Sequence, residues 1–412
     1  MSEKSLVPEL RFPEFIRAWN PSKLGDIARF RKGKGISKAD IKQDGNQPCI
    51  RYGELYTTYN ELIDEVVSYT DINQEELVLS EENDVIIPAS GESNIDIATA
   101  ACVRNSGIAL GGDLNIIKTN LEGVFLSYYL NSHLKYKVAS YAQGNSVVHL
   151  YSTQLKLLDL NVPSLEEQQK TASFLSAVDQ RIALLEKKKE LLEQYKKGVM
   201  QKIFSQEIRF KDEHGNDFPD WEEKKLGEVA TTVSGLSGKT KEDFGEGVPY
   251  VQYKQVFDSS YIKIEDCGLV KLENGEKQST LKKGDVLLTT SSETANEVGT
   301  ASVIIENLGE IYLNSFCFGL RFKKDILSPV FSQFLFRSEG FRKIVVPLAQ
   351  GSTRYNLSKS SLMKLVISIP RIEEQIKIGS FLQKLLNQIE GVESSVNEMK
   401  VFKKGLLQKM FV

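Results

Sequence analysis

Cysteine and histidine are scarce in this chain of 412 residues, which contains four cysteines and three histidines. The cysteines lie far apart, with no CxxC pair and no histidine at zinc-ligand spacing, so the sequence predicts neither a metal site nor a redox pair. We expect the cysteines to be small core residues. They are Cys49, Cys102, Cys267 and Cys317.

Long apolar runs are also missing. No segment carries the roughly 18 uninterrupted apolar residues that a membrane span needs. The N-terminal stretch, residues 1–8, has no apolar core after its lysine, so nothing in it predicts export. The composition, 41% hydrophobic and 26% charged, is typical of soluble globular proteins. We therefore expect a cytoplasmic protein without a membrane partner.

The familiar catalytic motifs are absent as well. The stretch 33–38 keeps neither the spacing of a nucleotide-hydrolase phosphate loop nor that of a dinucleotide-binding fold. No histidine belongs to an HExxH motif, and no serine sits in a Gly-x-Ser-x-Gly turn. There is no Asn/Asp-Pro-Pro-aromatic segment of the kind that amino-methyltransferases use to hold a flipped base. The sequence predicts a protein that binds rather than one that catalyses, with no catalytic residue and no cofactor of its own.

Positive charge is not in excess. There are 52 Lys and Arg against 55 Asp and Glu, a formal net charge of −3, whereas proteins that coat nucleic acid usually carry a basic excess. Basic residues do concentrate locally, because the stretch 29–51 holds seven of them and only two carboxylates. Any contact with DNA is therefore expected to be local.

The chain contains an internal repeat. The segment 163–175 returns as 370–382 at a shift of 207 positions, and eight of the thirteen aligned residues are identical. At 412 residues the chain also exceeds the usual limit of about 250–300 residues for a single core. We expect a duplicated unit and a pseudo-twofold molecule.

Each copy predicts the same order of elements, which makes each domain α+β. A Trp-x4-Leu-Gly start precedes paired strands, a buried strand that ends in a polar loop, a helical segment and a last strand before the proline. The paired-strand, buried-strand and helical segments are 48–56, 84–92 and 125–139 in the first copy, and 249–257, 285–293 and 331–345 in the second.

After each proline the apolar period changes to three or four residues, which is typical of a coiled-coil seam. Each seam spans about 40 residues, and hence about 60 Å of helix. The two helices of one chain can pack antiparallel against each other without a second molecule. The alternative, in which each helix simply covers its own domain, stays open. The predicted seam residues are Leu175, Val178, Ile182, Leu185, Leu192, Val199, Leu382, Leu385, Ile389, Val392, Val396, Met399 and Leu406.

Polar loops carry basic, amide and aromatic side chains of the types that contact DNA. Lys and Arg bind phosphates, whereas Gln, Asn, Arg and Ser read base edges. The loops 143–149 and 350–356 differ in sequence although the helix starts are near-copies, as expected of two domains that read different sequences. The alternative is that these loops are merely solvated. The candidate DNA-binding residues are Arg31, Lys32, Lys34, Lys38, Arg51, Tyr52, Ser90, Gln143, Asn145, Ser146, His149, Lys239, Gln252, Tyr253, Lys254, Ser291, Ser292, Gln350, Ser352, Thr353, Arg354 and Tyr355.

These motifs together resemble the specificity subunit of type I restriction-modification systems. The likeness rests on the duplicated Pro-x-x-Glu-Glu-Gln helix starts, the Trp-x4-Leu-Gly domain starts and the Lys-Gly-x-x-Gln-Lys-x-Phe helix ends, and it covers nearly the whole chain. The resemblance implies two target-recognition domains that each read one half of a bipartite DNA site, and two antiparallel spacer helices that set the gap. The implied segments are domain 1 at 1–163, a central spacer helix at 164–205, domain 2 at 206–370 and a C-terminal spacer helix at 371–412.

The resemblance also implies the partners. Besides double-stranded DNA, they are two methyltransferase subunits, which would bring S-adenosylmethionine, and restriction subunits, which would bring ATP and magnesium. The chain itself would be the non-catalytic subunit of an adenine-specific methyltransferase and nuclease complex. The alternative is a coiled-coil protein scaffold without specific DNA recognition, which would lack methyltransferase and helicase-like nuclease genes beside its own.

Overall fold

A computed structural model of the chain describes residues 6–412. It divides into two compact units, which we call unit 1 (Met1–Glu186 with Ser394–Val412) and unit 2 (Lys187–Glu393). Residues 1–5 lie outside the described part, and they include most of the N-terminal stretch 1–8 in which the sequence predicts no export signal. Within residues 6–412, no helix is both long and apolar enough to cross a membrane.

Unit 1 contains a five-stranded sheet, a four-stranded sheet and two short strand pairs. Its strands are β1 (Asn20–Lys23), β2 (Ala28–Lys32), β3 (Ile41–Lys42), β4 (Gln47–Ile50), β5 (Leu62–Ile63), β6 (Ser68–Thr70), β7 (Asp84–Pro88), β8 (Ser90–Gly91), β9 (Ala101–Val103), β10 (Ala109–Leu110), β11 (Leu114–Thr119), β12 (Val148–His149) and β13 (Asp159–Val162). Its helices, the last of which continues into unit 2, are α1 (Leu24–Ile27), α2 (Glu54–Thr57), α3 (Asn94–Ile97), α4 (Gly123–Asn131), α5 (Lys135–Tyr141), α6 (Ser152–Leu155) and α7 (Leu165–Phe204).

The larger sheet of unit 1, in the order β2-β11-β7-β9-β5, is buried on both faces. Val85 and Ile87 of its central strand pack in one core with helix α4, whereas Ile86 packs in a second core with residues of the smaller sheet, β10-β4-β6-β3. This explains the continuous apolar run at 85–87, because a strand covered on both sides does not alternate. The prediction of a buried strand over 84–92 is confirmed for β7.

Unit 2 repeats this architecture. Its strands are β14 (Glu222–Lys225), β15 (Ala230–Ser234), β16 (Phe244–Val251), β17 (Gly268–Val270), β18 (Val286–Thr289), β19 (Ser291–Ser292), β20 (Ala301–Val303), β21 (Tyr312–Leu313), β22 (Cys317–Phe322), β23 (Ala349–Gln350), β24 (Tyr355–Leu357) and β25 (Val366–Ile369). Its helices are α8 (Leu226–Val229), α9 (Tyr253–Asp258), α10 (Pro329–Leu335), α11 (Glu339–Val345), α12 (Lys359–Leu362) and α13 (Ile372–Lys409).

The two sheet orders correspond strand by strand. The sheet β15-β22-β18-β20 matches four of the five strands of the larger sheet of unit 1, and β17-β16-β21 matches three of the four strands of its smaller sheet. Val286 and Leu288 face the core that holds α10, and Leu287 faces the other core. The α+β fold with an internal repeat is thus confirmed.

The paired-strand prediction is wrong for the second half of each segment. The strands β4 and β16 end at Ile50 and Val251, and the chain then turns into the short helices α2 and α9. In unit 1 the Glu54 carboxylate accepts a hydrogen bond from the Arg51 backbone N–H (3.0 Å), which fixes the start of the helix. Alternation over three or four residues could not distinguish this turn of helix from a strand.

Within each unit, segments of the two long helices run antiparallel. In unit 1, Lys400 pairs with Glu186 (2.6 Å) and Lys403 with Asp179 (2.8 Å), so rising numbers on α13 meet falling numbers on α7. In unit 2, Lys189 pairs with Glu393 (2.6 Å). The predicted seam residues are buried, except Leu192, Val199 and Met399, which are half-buried.

The repeated Glu-Glu-Gln motif anchors each long helix to its unit. The second glutamate is buried and binds an arginine of the aromatic lead-in, Glu167 with Arg11 (2.6 Å) and Glu374 with Arg209 (2.8 Å). The glutamine that follows accepts a hydrogen bond from the backbone at the start of an earlier helix of the same unit. Gln168 Oε1 accepts from Glu122 N–H before α4 (2.9 Å), and Gln375 Oε1 accepts from Ser328 N–H before α10 (2.8 Å). The motif therefore recurs because it holds the scaffold together.

Candidate nucleic-acid interface

Unit 1 has a cleft of about 830 Å³ at the end of its smaller sheet, which we call cleft 1. It collects three predicted DNA-binding residues, Lys38, Arg51 and Tyr52, together with Tyr56 and Glu92, which were not predicted. Both tyrosines come from the chain around α2, where a spacing of four places them on one side of the turn. The cleft thus combines aromatic, cationic and acidic groups.

Arg51 is held in place from within the unit. Its guanidinium donates to Glu54 Oε1 from Nε (3.2 Å) and Nη2 (3.1 Å), and Ser68 Oγ donates to the same oxygen (2.6 Å). Glu54 is buried, so this ion pair orients Arg51 at the cleft and compensates its charge. Lys38, by contrast, is exposed.

A hairpin beside cleft 1 presents further predicted residues, and we call residues 143–149 hairpin 1. Gln143 and His149 exchange two backbone hydrogen bonds (2.9 and 2.7 Å), and His149 pairs with Ser90 across β12 and β8. Asn145 and Ser146 lie at the exposed tip.

An aromatic stack extends from this hairpin. The ring of His149 stacks on Tyr151 with centroids 6.2 Å apart, and Lys32 Nζ lies 5.9 Å from the centroid of Tyr151. Tyr151 is 44% exposed, so its ring offers a flat face beside the imidazole of His149 and the ammonium group of Lys32. Lys34 lies exposed two residues beyond Lys32.

Arg31 does not join this group. Along β2 the side chains alternate, so Arg31 faces away from Lys32 and lies 4.0 Å from Glu81, near Lys118 and Asp84. The structure thus places Arg31 apart from Lys32, and its assignment as a DNA-binding residue stays a prediction.

Unit 2 has a smaller cleft of about 380 Å³ at the corresponding place, which we call cleft 2. It brings together four predicted residues: Tyr253, Ser291, Ser292 and Arg354. Tyr253 donates its hydroxyl hydrogen to the Ser291 carbonyl (2.7 Å), and burial raises the pKa of this tyrosine. Sequence reasoning missed the other members of the lining, which are Phe257, Glu293, Glu297 and Phe316.

The hairpin at cleft 2, residues 350–356, is called hairpin 2. It connects β23 to β24 in the sheet β19-β24-β23. In this sheet Gln350 pairs with Asn356, and Ser292 pairs with Tyr355. Ser352, Thr353 and Arg354 are exposed at its tip.

Both hairpins turn at a glycine with positive φ, Gly144 (127°) and Gly351 (134°). A Cβ at Gly351 would lie 1.9 Å from the Arg354 carbonyl oxygen, and one at Gly144 would lie 2.1 Å from that of Val147. Only glycine fits these positions. The two hairpins therefore share a turn and differ in the side chains that the turn presents.

Lys239 is the second residue that the structure separates from the others. Its side chain is 7% exposed and forms an ion pair with Glu276 (2.5 Å). That hydrogen bond, with others from Gln278 and the backbone, lowers the pKa of Glu276 to about 2. The charge of Lys239 is already compensated, whereas Gln252 and Lys254 beside cleft 2 are exposed.

Two predicted serines, Ser90 and Ser292, are buried and act in the strands that position the hairpins. Two residues that sequence reasoning missed are the most exposed aromatic groups of the interface, Tyr151 and Phe316, the latter 57% exposed. The i, i+4 aromatic pairs Tyr52/Tyr56 and Tyr253/Phe257 were the signal that could have revealed the short helices and the clefts behind them.

No chemistry of another kind emerges from the described residues. Between residues 6 and 412, no group of three or more His, Cys, Asp or Glu side chains is placed to hold a metal ion. Cys49, Cys102 and Cys317 are buried, as predicted, whereas Cys267 is half-buried. Burial raises the pKa values of the three buried thiols to about 11, about 12 and about 12, respectively. Thiols of this kind are poor nucleophiles at neutral pH.

Comparison with known proteins decides the family. The model of the type I restriction modification DNA specificity domain matches twice, over residues 16–194 and 219–399. The chain belongs to this family. It is a DNA specificity subunit of type I restriction-modification systems and not a catalytic subunit.

A sequence relative and two solved structures match nearly the whole length of this specificity subunit. It is 24% identical to the type I restriction enzyme MjaVIII specificity subunit of Methanocaldococcus jannaschii, over 97% of this chain and 92% of the relative. Its fold is similar to the S subunit of a type I system from M. genitalium, with a TM-score of 0.63 and 16% identity, covering 98% and 99% of the two chains. A chain from a structure on complex assembly and conformational transition of the type I system matches with a TM-score of 0.56 and 19% identity, over 96% and 98%.

Proposed function

We propose that clefts 1 and 2, with their hairpins, each read one half of a bipartite DNA site. The observation that carries this is the repeated turn with different tips: Asn145, Ser146 and Val147 in unit 1, and Ser352, Thr353 and Arg354 in unit 2. A shared framework fixes the approach to DNA, and the variable side chains carry the sequence information.

The charged residues of the two sites are consistent with a framework that binds phosphates and hairpin side chains that read bases. Lys32, Lys34 and Lys38 of unit 1 are exposed, and no ion pair engages them in the described part of the chain, so they can bind phosphates. In unit 2, Arg354 and Glu293 both line cleft 2, so the cleft offers a base pair a donor and an acceptor. With a net charge of −3, the isolated chain is expected to bind DNA weakly and in a salt-sensitive manner.

We further propose that two methyltransferase subunits dock on the chain, that restriction subunits join through them, and that the complex acts in the cytoplasm. Support comes from the relatives, which are specificity subunits of type I enzymes, and from the two-fold repetition of the scaffold. The catalytic groups and the S-adenosylmethionine, ATP and magnesium sites would belong to those partners.

The long helices α7 and α13 are proposed to set the gap between the half-sites. Inserting four residues after Lys188, matched by four after Ser394 on the antiparallel segment, should lengthen the spacer by about 6 Å. Because B-DNA rises about 3.4 Å per base pair, the unspecified gap should widen by about two base pairs. The measurement is the methylated sequence motif found by methylome sequencing.

A matched control is an insertion of four residues after Gly275, an exposed loop glycine with no side-chain neighbour within 4 Å. It should leave the gap unchanged. If the matched helix insertions also left the gap unchanged while methylation persisted, the helices would not be the spacer.

A further inference from the structure

Unit 2 contains a second cavity, away from cleft 2, between α7 and α10. It has a volume of about 550 Å³, and we call it the cationic cleft. Lys196, Ser260, Gln333, Phe334 and Arg337 line it, together with the exposed Lys197 and Glu339.

Two cations of this cleft lack a carboxylate partner within the described residues. Lys196 takes part in no ion pair or hydrogen bond there, and the Arg337 guanidinium donates only to backbone carbonyls, among them Ser259 (2.7 Å) and Ala301 (2.5 Å). The nearby carboxylates have other partners: Glu339 pairs with Lys343 (2.8 Å) and Glu390 with the hydroxyl of Tyr261 (3.1 Å). Glu193, on the same helix as Lys196, lies 3.9 Å from Lys189. Partly buried charges without a counter-ion are costly.

The internal repeat supplies the counterpart in unit 1. Lys403 stands where Lys196 stands in the Lys-Lys-Gly helix end, and it binds Glu61 (3.0 Å) and Asp179 (2.8 Å). The hydroxyl of Tyr128 donates to the same Asp179 (2.6 Å). In unit 1 the lysine therefore has two carboxylates and a compact polar network.

Unit 2 has the corresponding lysine but lacks both carboxylates. Aligning the repeats places Ser260 where Glu61 is, Leu386 where Asp179 is and Phe334 where Tyr128 is. The backbone supports the first match, because the carbonyl of Glu61 accepts from Cys102 and that of Ser260 from Val303, at the same place in each sheet.

The electrostatic consequence is opposite in the two units. Burial by itself would lower the pKa of Lys403, but Glu61 and Asp179 outweigh it and the pKa is raised. Burial lowers the pKa of Lys196; Glu193 and Glu390 oppose this effect, and Arg337 adds to it. Glu193 lies on the same helix as Lys196.

Gln333 adds a second unmatched group. Its side chain is 1% exposed, and its amide Nε2–H donates to Ser260 Oγ (2.9 Å). Its Oε1 is buried and has no hydrogen-bond partner. Buried polar atoms are nearly always paired, so this oxygen points to a missing donor.

We propose that the cationic cleft binds a carboxylate group that takes the place of the missing acids, with Lys196 as its counter-ion and Gln333 Oε1 accepting from a neighbouring N–H or O–H of the same ligand. Two sources share this chemistry: a free hydroxy- or aminocarboxylate, and an Asp or Glu side chain of a subunit docked on this face. Binding needs no DNA, and only the second source rests on the proposed function.

The test is the reactivity of individual lysines in the full chain towards acetic anhydride, read by mass spectrometry. The acetylation rate of Lys196 is compared in sodium malate and in sodium chloride at equal ionic strength. Because only the uncharged amine reacts, the rate in malate should be about tenfold lower for each unit by which malate raises the pKa of Lys196. Lys403, already paired, and Lys188, exposed on the same helix as Lys196, are the internal controls and should not change.

The two sources give different results. Slower labelling with malate alone identifies a free carboxylate, whereas slower labelling only in the complex with methyltransferase subunits identifies an acidic side chain. The double variant Ser260→Glu with Leu386→Asp restores the acids of unit 1 and should abolish either response. Equal labelling of Lys196 in all conditions would overturn the proposal, whether or not the chain reads DNA, as would an undiminished response in the double variant.

Discussion

Replacing Arg354 with alanine should relax the DNA sequence read by unit 2 at one base pair and leave the other half-site intact. Arg354 is exposed at the tip of hairpin 2 and is in no ion pair within the described residues. A bidentate contact of arginine to guanine contributes about 1–3 kcal/mol of discrimination, which is about 5- to 150-fold. Methylation rates of the reconstituted complex on duplexes with each base at each position would measure it.

The matched control comes from the repeat. Hairpin 1 has Val147 at the corresponding place, so Val147→Ala should leave the half-site of unit 2 unchanged. Moving the whole of hairpin 2, Gln350–Asn356, into another specificity subunit should transfer the preference of one half-site. Loss of specificity in both halves, or in neither, would show that the hairpins do not read the bases.

Replacing Glu374 with alanine should destabilise unit 2 strongly. Glu374 is 0% exposed and accepts two hydrogen bonds from Arg209, at 3.2 and 2.8 Å; these hydrogen bonds raise the pKa of the arginine. Removing the buried partner of such an ion pair costs about 3–5 kcal/mol. Arg209, whose side chain is 20% exposed, would keep only the fully exposed Asp220, 3.5 Å away, as a carboxylate partner among the described residues. For a unit of this size, the Tm should fall by about 6–20 °C.

The adjacent Glu373 supplies the control. It is exposed at the start of the same helix, so Glu373→Ala should change the free energy of unfolding by only about 0.5 kcal/mol. Calorimetry of the full chain would measure both variants. Equal effects of the two substitutions would mean that the buried pair does not anchor α13.

The sequence predicted the scaffold well because its signals are periodic and repeated. The seam on α7 and α13 follows from apolar residues three and four apart, and the Glu-Glu-Gln starts appear twice. The anchoring role of Glu167 and Glu374 was not predicted, because their arginine partners lie more than 150 residues away in the chain.

The candidate site was predicted less completely, for a physical reason. The sequence does not reveal that Lys239 pairs with Glu276, because the two residues meet only in the folded chain. It also groups Arg31 with Lys32, although side chains alternate along the strand and the two therefore point in opposite directions. Tyr151 and Phe316 belong to no motif, and only the fold brings them to the hairpins or clefts. The hairpins themselves could be found because their sequences differ between otherwise similar copies.

Methylome sequencing of a host with and without the gene for this chain tests the central claim most directly. Because the two hairpins differ, the proposal predicts a split adenine-methylated motif, with two different specified halves and an unspecified gap, that is present with the gene and lost without it. An unchanged set of methylated motifs in a host that retains the partner subunits would contradict it.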